Sequence, residues 1–91
     1  MSIIDNAARS RFEYDVEDRT AFIDYRRADN VVSLTHASVP RELEGRGIGS
    51  AMVRETLDLI RARGEKVVPA CSFVDAFIRR HPDYADLLAA R

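Results

Sequence analysis

The chain has 91 residues, 46% of them apolar, with 14 basic and 15 acidic side chains and a formal net charge of −1. That describes one small domain with a single core, and with acids interleaved among the bases nothing in it resembles the uniform basic face that phosphate-dominated nucleic-acid binding needs. One cysteine and two histidines support neither a disulfide framework nor a metal-ligand set, and no apolar run approaches the ~20 residues of a membrane span. Met1-Ser2-Ile3-Ile4-Asp5 does not follow a signal-peptide pattern, so a cytoplasmic protein without membrane, metal or nucleic-acid partner is expected. A monomer or weak dimer is the expected state.

Residues 1–9 are expected to be a poorly ordered or edge segment. Phe12, Tyr14 and Val16 alternate with polar residues, as do Ala21, Ile23 and Tyr25, with Glu17-Asp18-Arg19 between the runs; this predicts a hairpin with one buried face. After a turn at Ala28-Asp29-Asn30, Val31 to Val39 reads as a third strand with Val32, Leu34, His36 and Ser38 on one side. The first half is therefore an antiparallel meander.

Pro40 ends the third strand, and a helix is predicted from about Gly47 to Arg63. Ile48, Met52, Val53, Leu57 and Ile60 form its apolar stripe, Arg54, Glu55, Asp58 and Arg61 lie away from it, and Gly64 is a natural C-cap. Lys66 to Cys71 is a short strand, interrupted by Pro69, which cannot donate to a ladder and predicts that the sheet opens there. Ser72 and Asp75 form a candidate capping pair for a short helix with Phe73, Val74, Phe77 and Ile78 on its apolar side. Arg79-Arg80-His81 closes it, and Pro82 opens a last helix with Tyr84, Leu87 and Leu88 inward and Arg91 at its end.

Between the third strand and the long helix lies Glu44-Gly45-Arg46-Gly47-Ile48-Gly49-Ser50. Glycines at alternate positions permit positive φ and close backbone approach, so that successive N–H groups converge on phosphate oxygens at a helix N-terminus. Such glycines equally serve as plain strand-to-helix turns. A Walker loop is excluded, because Ser50-Ala51-Met52 follows where a Lys-Ser/Thr pair is needed, and the chain is too short for a dinucleotide-binding fold. The ligand these features imply is a nucleotide-like cofactor.

The element order, together with His36, Val39-Pro40, Glu42 to Ser50, Lys66-Val67-Val68-Pro69-x-Cys71 and Phe77-Ile78-x-Arg80-His81-Pro82-x-Tyr84, resembles the small single-domain members of the GNAT superfamily of acetyl-CoA-dependent N-acetyltransferases. The likeness spans about residues 10 to 88. It implies an α/β fold with a mixed sheet, a pyrophosphate loop and a splayed strand, and transfer of acetyl to a primary amine, of a protein or a polyamine. It also implies that Val39, Glu44, Gly45, Arg46, Gly47, Ile48, Gly49, Ser50, Phe73 and Arg80 meet acetyl-CoA or coenzyme A, the pantetheine lying between the strands that end at Val39 and Cys71. One position departs from the pattern: Glu44 stands where Arg or Gln is usual, and Arg41 or Arg46 is the expected neutralising partner. A non-catalytic acyl-CoA-binding or interaction module with the same fold is the alternative.

Acetyl transfer needs a neutral amine, a polarised carbonyl and a proton for the departing thiolate. Cys71, which the resemblance places near the thioester, precedes a predicted helix start, where thiolate is favoured; a small buried hydrophobe is its ordinary alternative. His36 is a candidate base because imidazole titrates near neutrality, and otherwise a hydrogen-bonded structural residue. Glu42 is a further base candidate or an exposed turn carboxylate. Arg79, Arg80 and His81 can reach a 3′-phosphate or cap helix carbonyls. The chain lacks room for the segments that wall the acceptor site in larger relatives, which suits an open acceptor pocket.

Overall fold

The computed structural model describes residues 2–89. Five strands, β1 (Ile3–Asn6), β2 (Arg11–Val16), β3 (Arg19–Ala28), β4 (Val31–Ser38) and β5 (Lys66–Pro69), form one sheet in chain order. The first three pairings are antiparallel and β4–β5 is parallel. Helix α1 (Ile48–Ala62) makes the crossover between β4 and β5, and α2 (Ser72–Arg80) follows β5. The three-stranded meander of the sequence is thus extended by β1, which pairs with β2 from Ile3↔Tyr14 to Asn6↔Arg11.

Alternation along the strands buries Phe12, Tyr14, Val16, Ala21, Ile23, Tyr25, Val32 and Leu34 on one face. They join one cluster with Met52, Val53, Leu57 and Ile60 of α1 and Val74, Phe77 and Ile78 of α2, the stripes that the 3.6-residue period predicts. The turns are tight because residues with positive φ occupy them: Glu17 between β2 and β3, and Asp29-Asn30 between β3 and β4.

Several local details differ from the sequence reading. Residues 82–87 form a 3-10 helix, Pro82–Leu87, that buries Tyr84 and Leu87 as expected, but Leu88 is extended and bridges Val67, with the Ala89 N–H donating to the Val67 carbonyl at 2.9 Å. The returning chain supplies β5 with a partner on its otherwise free edge. Arg91 lies outside the described residues. Cys71, not Ser72, is the N-cap of α2 and makes no side-chain capping bond, while Asp75 pairs with Arg79 at 2.9 Å. Glu55 is drawn inward, where it accepts hydrogen bonds from Tyr14 Oη at 2.9 Å and from the Ile3 N–H at 3.2 Å.

The N-terminal strand is held by a charge cluster. Asp5, with a side chain 11% exposed, accepts from Tyr25 Oη at 2.6 Å and from Arg63 Nη1 at 2.7 Å and lies 3.6 Å from Arg27. Arg27 in turn donates through Nε to Glu65 at 2.8 Å. Every charge in the group faces an opposite one, the condition under which half-buried ions are tolerated.

Candidate functional site

β4 and β5 part company at a defined point. Their register ends at Leu34↔Pro69. Pro69 has no N–H, and the next link is a single bond from the Cys71 N–H to the Leu34 carbonyl at 2.9 Å. α2 then turns the chain away while β4 continues to Ser38. The opening between the strands therefore begins at Cys71, which is half-buried at the apex.

A second irregularity sits beside this apex. In the β3–β4 register Asp24 faces His36 and Tyr25 faces Leu34, so Thr35 is bulged out of the ladder. Its Oγ1 donates to the Asp24 carbonyl at 3.2 Å. One extra residue reverses the alternation that follows: Ala37 and Val39 turn inward against the core, and His36 is exposed on the outward face with its ring 6.3 Å from Phe22. The expected grouping of His36 and Ser38 with Val32 and Leu34 is corrected by this bulge. No hydrophobic pattern announces it.

On the helix side of the opening lies a cavity of about 300 Å³ walled by Val39, Leu43, residues 44–50 apart from Arg46, and Phe73. A short 3-10 turn, Arg41–Leu43, leads into it and buries Leu43, a wall residue the sequence reading did not single out. Gly47 caps α1 in the left-handed conformation, φ 73°, without a side-chain capping bond, and the first turn of α1 carries no acid. The leading N–H groups and the positive end of the helix dipole are therefore available to an anion.

The three loop glycines have different reasons. Gly45 and Gly47 have φ of 79° and 73°, and a Cβ on either would meet nothing within 4 Å. Conformation rather than crowding requires them, and the space beside them is free for a ligand. Gly49 is helical, and a Cβ there would stand 2.9 Å from Phe73 Cζ. Its missing side chain lets the Phe73 ring, 43% exposed, lie against the start of α1.

Charge around the loop is arranged differently from expectation. Arg46 Nη2 donates to Glu17 Oε2 at 2.9 Å, across to the β2–β3 turn, and Arg19 lies 3.5 Å from Glu42. Arg46 thus does not neutralise Glu44, and among the described residues Glu44 has no ion pair, with Arg41 or any other base. Glu44 and Gly45 both border the cavity, whereas the Arg46 side chain points away to Glu17.

Arg80 is not in this cavity. It borders a neighbouring one of about 200 Å³ with Ala76, Phe77 and His81, and the two cavities share Ser50 and Phe73 as walls. The His81 ring stacks on Phe77 with centroids 4.1 Å apart, and its Nδ1 is 2.8 Å from the Phe77 carbonyl. Arg79 is occupied by Asp75. Among the described residues no cluster of His, Cys, Asp and Glu could hold a metal ion, and no helix is long and apolar enough to cross a membrane.

A mixed sheet whose fourth strand carries a bulge and parts from a parallel fifth, with a glycine loop opening the crossover helix, defines a GNAT-like fold. The family model for GCN5-related N-acetyl-transferases matches residues 11–87, and the chain belongs to that family. Its fold is similar to the NMR solution structure of a GCN5-like protein from Staphylococcus aureus, provisionally assigned as an N-acetyltransferase. The TM-score is 0.72 and the identity 24%, over 99% of this chain and 89% of that one. No curated protein matches the chain.

Proposed function

We propose that the protein binds acetyl-CoA in the opening between β4 and β5 and transfers the acetyl group to a primary amine of a protein or a polyamine. The observation that carries this reading is the continuity of the glycine loop, its uncapped helix start and the cavity that both border together with Val39, the residue just past the end of β4. The residues present fit the cofactor: open space at Gly45 and Gly47 admits a pyrophosphate to the N–H groups of the loop and first turn, and Val39, Leu43 and Phe73 supply apolar walls for a pantetheine arm. Ile48 and Ser50 complete the cradle. Arg80 and His81, in the adjoining cavity, suit a 3′-phosphate.

The cofactor, when bound, supplies an acetyl group activated as a thioester. Backbone N–H groups at the end of β4, beyond its last rung with β5, would polarise the thioester carbonyl, Val39 being the residue assigned that role. Cys71, at the apex, is assigned the proton for the departing thiolate, or the role of acyl acceptor. His36, on the outward face two residues past the last rung, is assigned the proton of the incoming ammonium. The exposure of this imidazole past the bulge supports that assignment. A cytoplasmic setting keeps Cys71 reduced. The alternative, a cofactor-binding module without turnover, is favoured by Glu44, an unpaired carboxylate on the cavity wall.

Calorimetric titration with acetyl-CoA and free CoA tests the proposal, with saturable one-to-one binding expected; no heat and no thermal stabilisation at millimolar ligand overturns it. Cys71→Ala is expected to lower acetyl transfer roughly 100-fold with CoA affinity unchanged, and equal turnover removes Cys71 from the chemistry. Arg80→Gln is expected to weaken CoA roughly fivefold while leaving 3′-dephospho-CoA unaffected. Equal loss for both ligands assigns Arg80 another role.

A further inference from the structure

Two ion pairs cross from the β2–β3 hairpin to the glycine loop and to the 3-10 turn before it, and they have no part in the core. Glu17, held at φ 57° in the two-residue turn, reaches Arg46 at 2.9 Å, and Arg19, at the start of β3, reaches Glu42 at 3.5 Å. All four side chains are about half-exposed or more, from 46% to 66%. Solvent-exposed pairs of this kind are screened by salt and contribute little to stability. Their position is distinctive nonetheless: Arg46 stands between the two left-handed glycines, so it is the cation closest in sequence to the N–H groups that would receive phosphate.

We propose that Glu17 sets the cofactor affinity of the glycine loop by holding the Arg46 guanidinium until a phosphate group takes its place. The proposal rests on the acetyl-CoA reading above. In the free chain the cationic side chain of the loop is neutralised, and the unpaired Glu44 leaves the cavity wall negative. A pyrophosphate offers Arg46 two acceptor oxygens and more charge than a carboxylate does, so the guanidinium exchanges partners at small cost. Hydrogen bonding and charge from Arg46 hold the pKa of Glu17 below its ordinary value, as the pairing geometry requires.

Titration of wild type, Glu17→Gln, Arg46→Gln and the double variant with CoA and acetyl-CoA, at low and at physiological ionic strength, tests this. Glu17→Gln is expected to tighten binding roughly threefold, Arg46→Gln to weaken it by a similar factor, and the Arg46 substitution to cost more in the Glu17→Gln background than in wild type. These effects shrink as salt rises. Weaker or unchanged binding in a folded Glu17→Gln protein overturns the proposal while leaving the acetyl-CoA reading intact. A wild type that binds no CoA overturns both.

Discussion

Gly47→Val is expected to lower the affinity for acetyl-CoA by about 100-fold while leaving a folded protein. The backbone at Gly47 has φ 73°, a region that a β-branched residue enters only with strain, and this residue is the N-cap from which the first N–H groups of α1 are presented. A Cβ there meets no protein atom within 4 Å, so no clash with the core adds to the strain. The substitution acts in two ways at once: it directs an apolar group into the space beside the cavity, and it biases the cap away from the geometry that aims the N–H groups. Loss of two charge-assisted hydrogen bonds accounts for a change of about that size. Calorimetry with circular dichroism separates the cases, since unaltered affinity in a folded variant would remove the loop from the cofactor site. Gly49→Ala serves as the contrast. Its Cβ displaces the half-exposed Phe73 ring rather than a ligand, and its effect on affinity should be smaller.

The second large effect concerns stability and acid. Asp5→Ala is expected to destabilise the fold by about 2 kcal/mol, because Arg63, Arg27 and the Tyr25 hydroxyl all converge on this carboxylate and are left facing one another without it. For a chain this short the midpoint of thermal unfolding should fall by about 10 °C. Burial by itself would raise the pKa of Asp5. The hydrogen bonds from Arg63 and Tyr25 and the charges of Arg27 and Arg63 outweigh burial and hold it below its ordinary value of 3.8. A carboxylate bound more loosely to its proton in the folded state adds stability above the unfolded value and loses it as the pH falls through the folded one. The gap between wild type and Asp5→Asn should therefore be full at neutral pH and narrow only below about pH 4. Urea unfolding of both proteins across that range checks it; a gap independent of pH would mean that shape, not charge, holds the strand.

Much of the fold was legible in short-range patterns. Period-two alternation in residues 12–16 and 21–25 predicted the β2–β3 hairpin, and the stripe Ile48, Met52, Val53, Leu57 and Ile60 predicted α1, because each pattern is set by backbone geometry within a few residues. Pro69 marked where the sheet opens, through the N–H it lacks, although the strand expected to run to Cys71 ends at Pro69 itself. The candidate site was legible where it depends on local conformation: Gly45 and Gly47 do adopt positive φ. Phe73 and Val39 do lie beside the loop.

Other features were decided only when distant segments met. β1 is too short to read as a strand by itself, and it becomes one through pairing with β2 and through Asp5, which bonds to Arg63, 58 residues away. The bulge at Thr35 follows from how β3 and β4 must register to bury Tyr25 and Leu34 together, so the facing of His36 could not be read from alternation within β4. The partner of Arg46 lies 29 residues earlier, on a turn whose direction depends on the whole hairpin. The sequence by itself determined the hairpin of β2 and β3, the apolar stripes of α1 and α2 and the glycine loop, since these rest on local dihedral preferences and on the period of the apolar residues. Only the tertiary structure decided the strand character of β1, which face His36 occupies and which charge holds Arg46, because side chains far apart in the chain compete for the same space and the same partners.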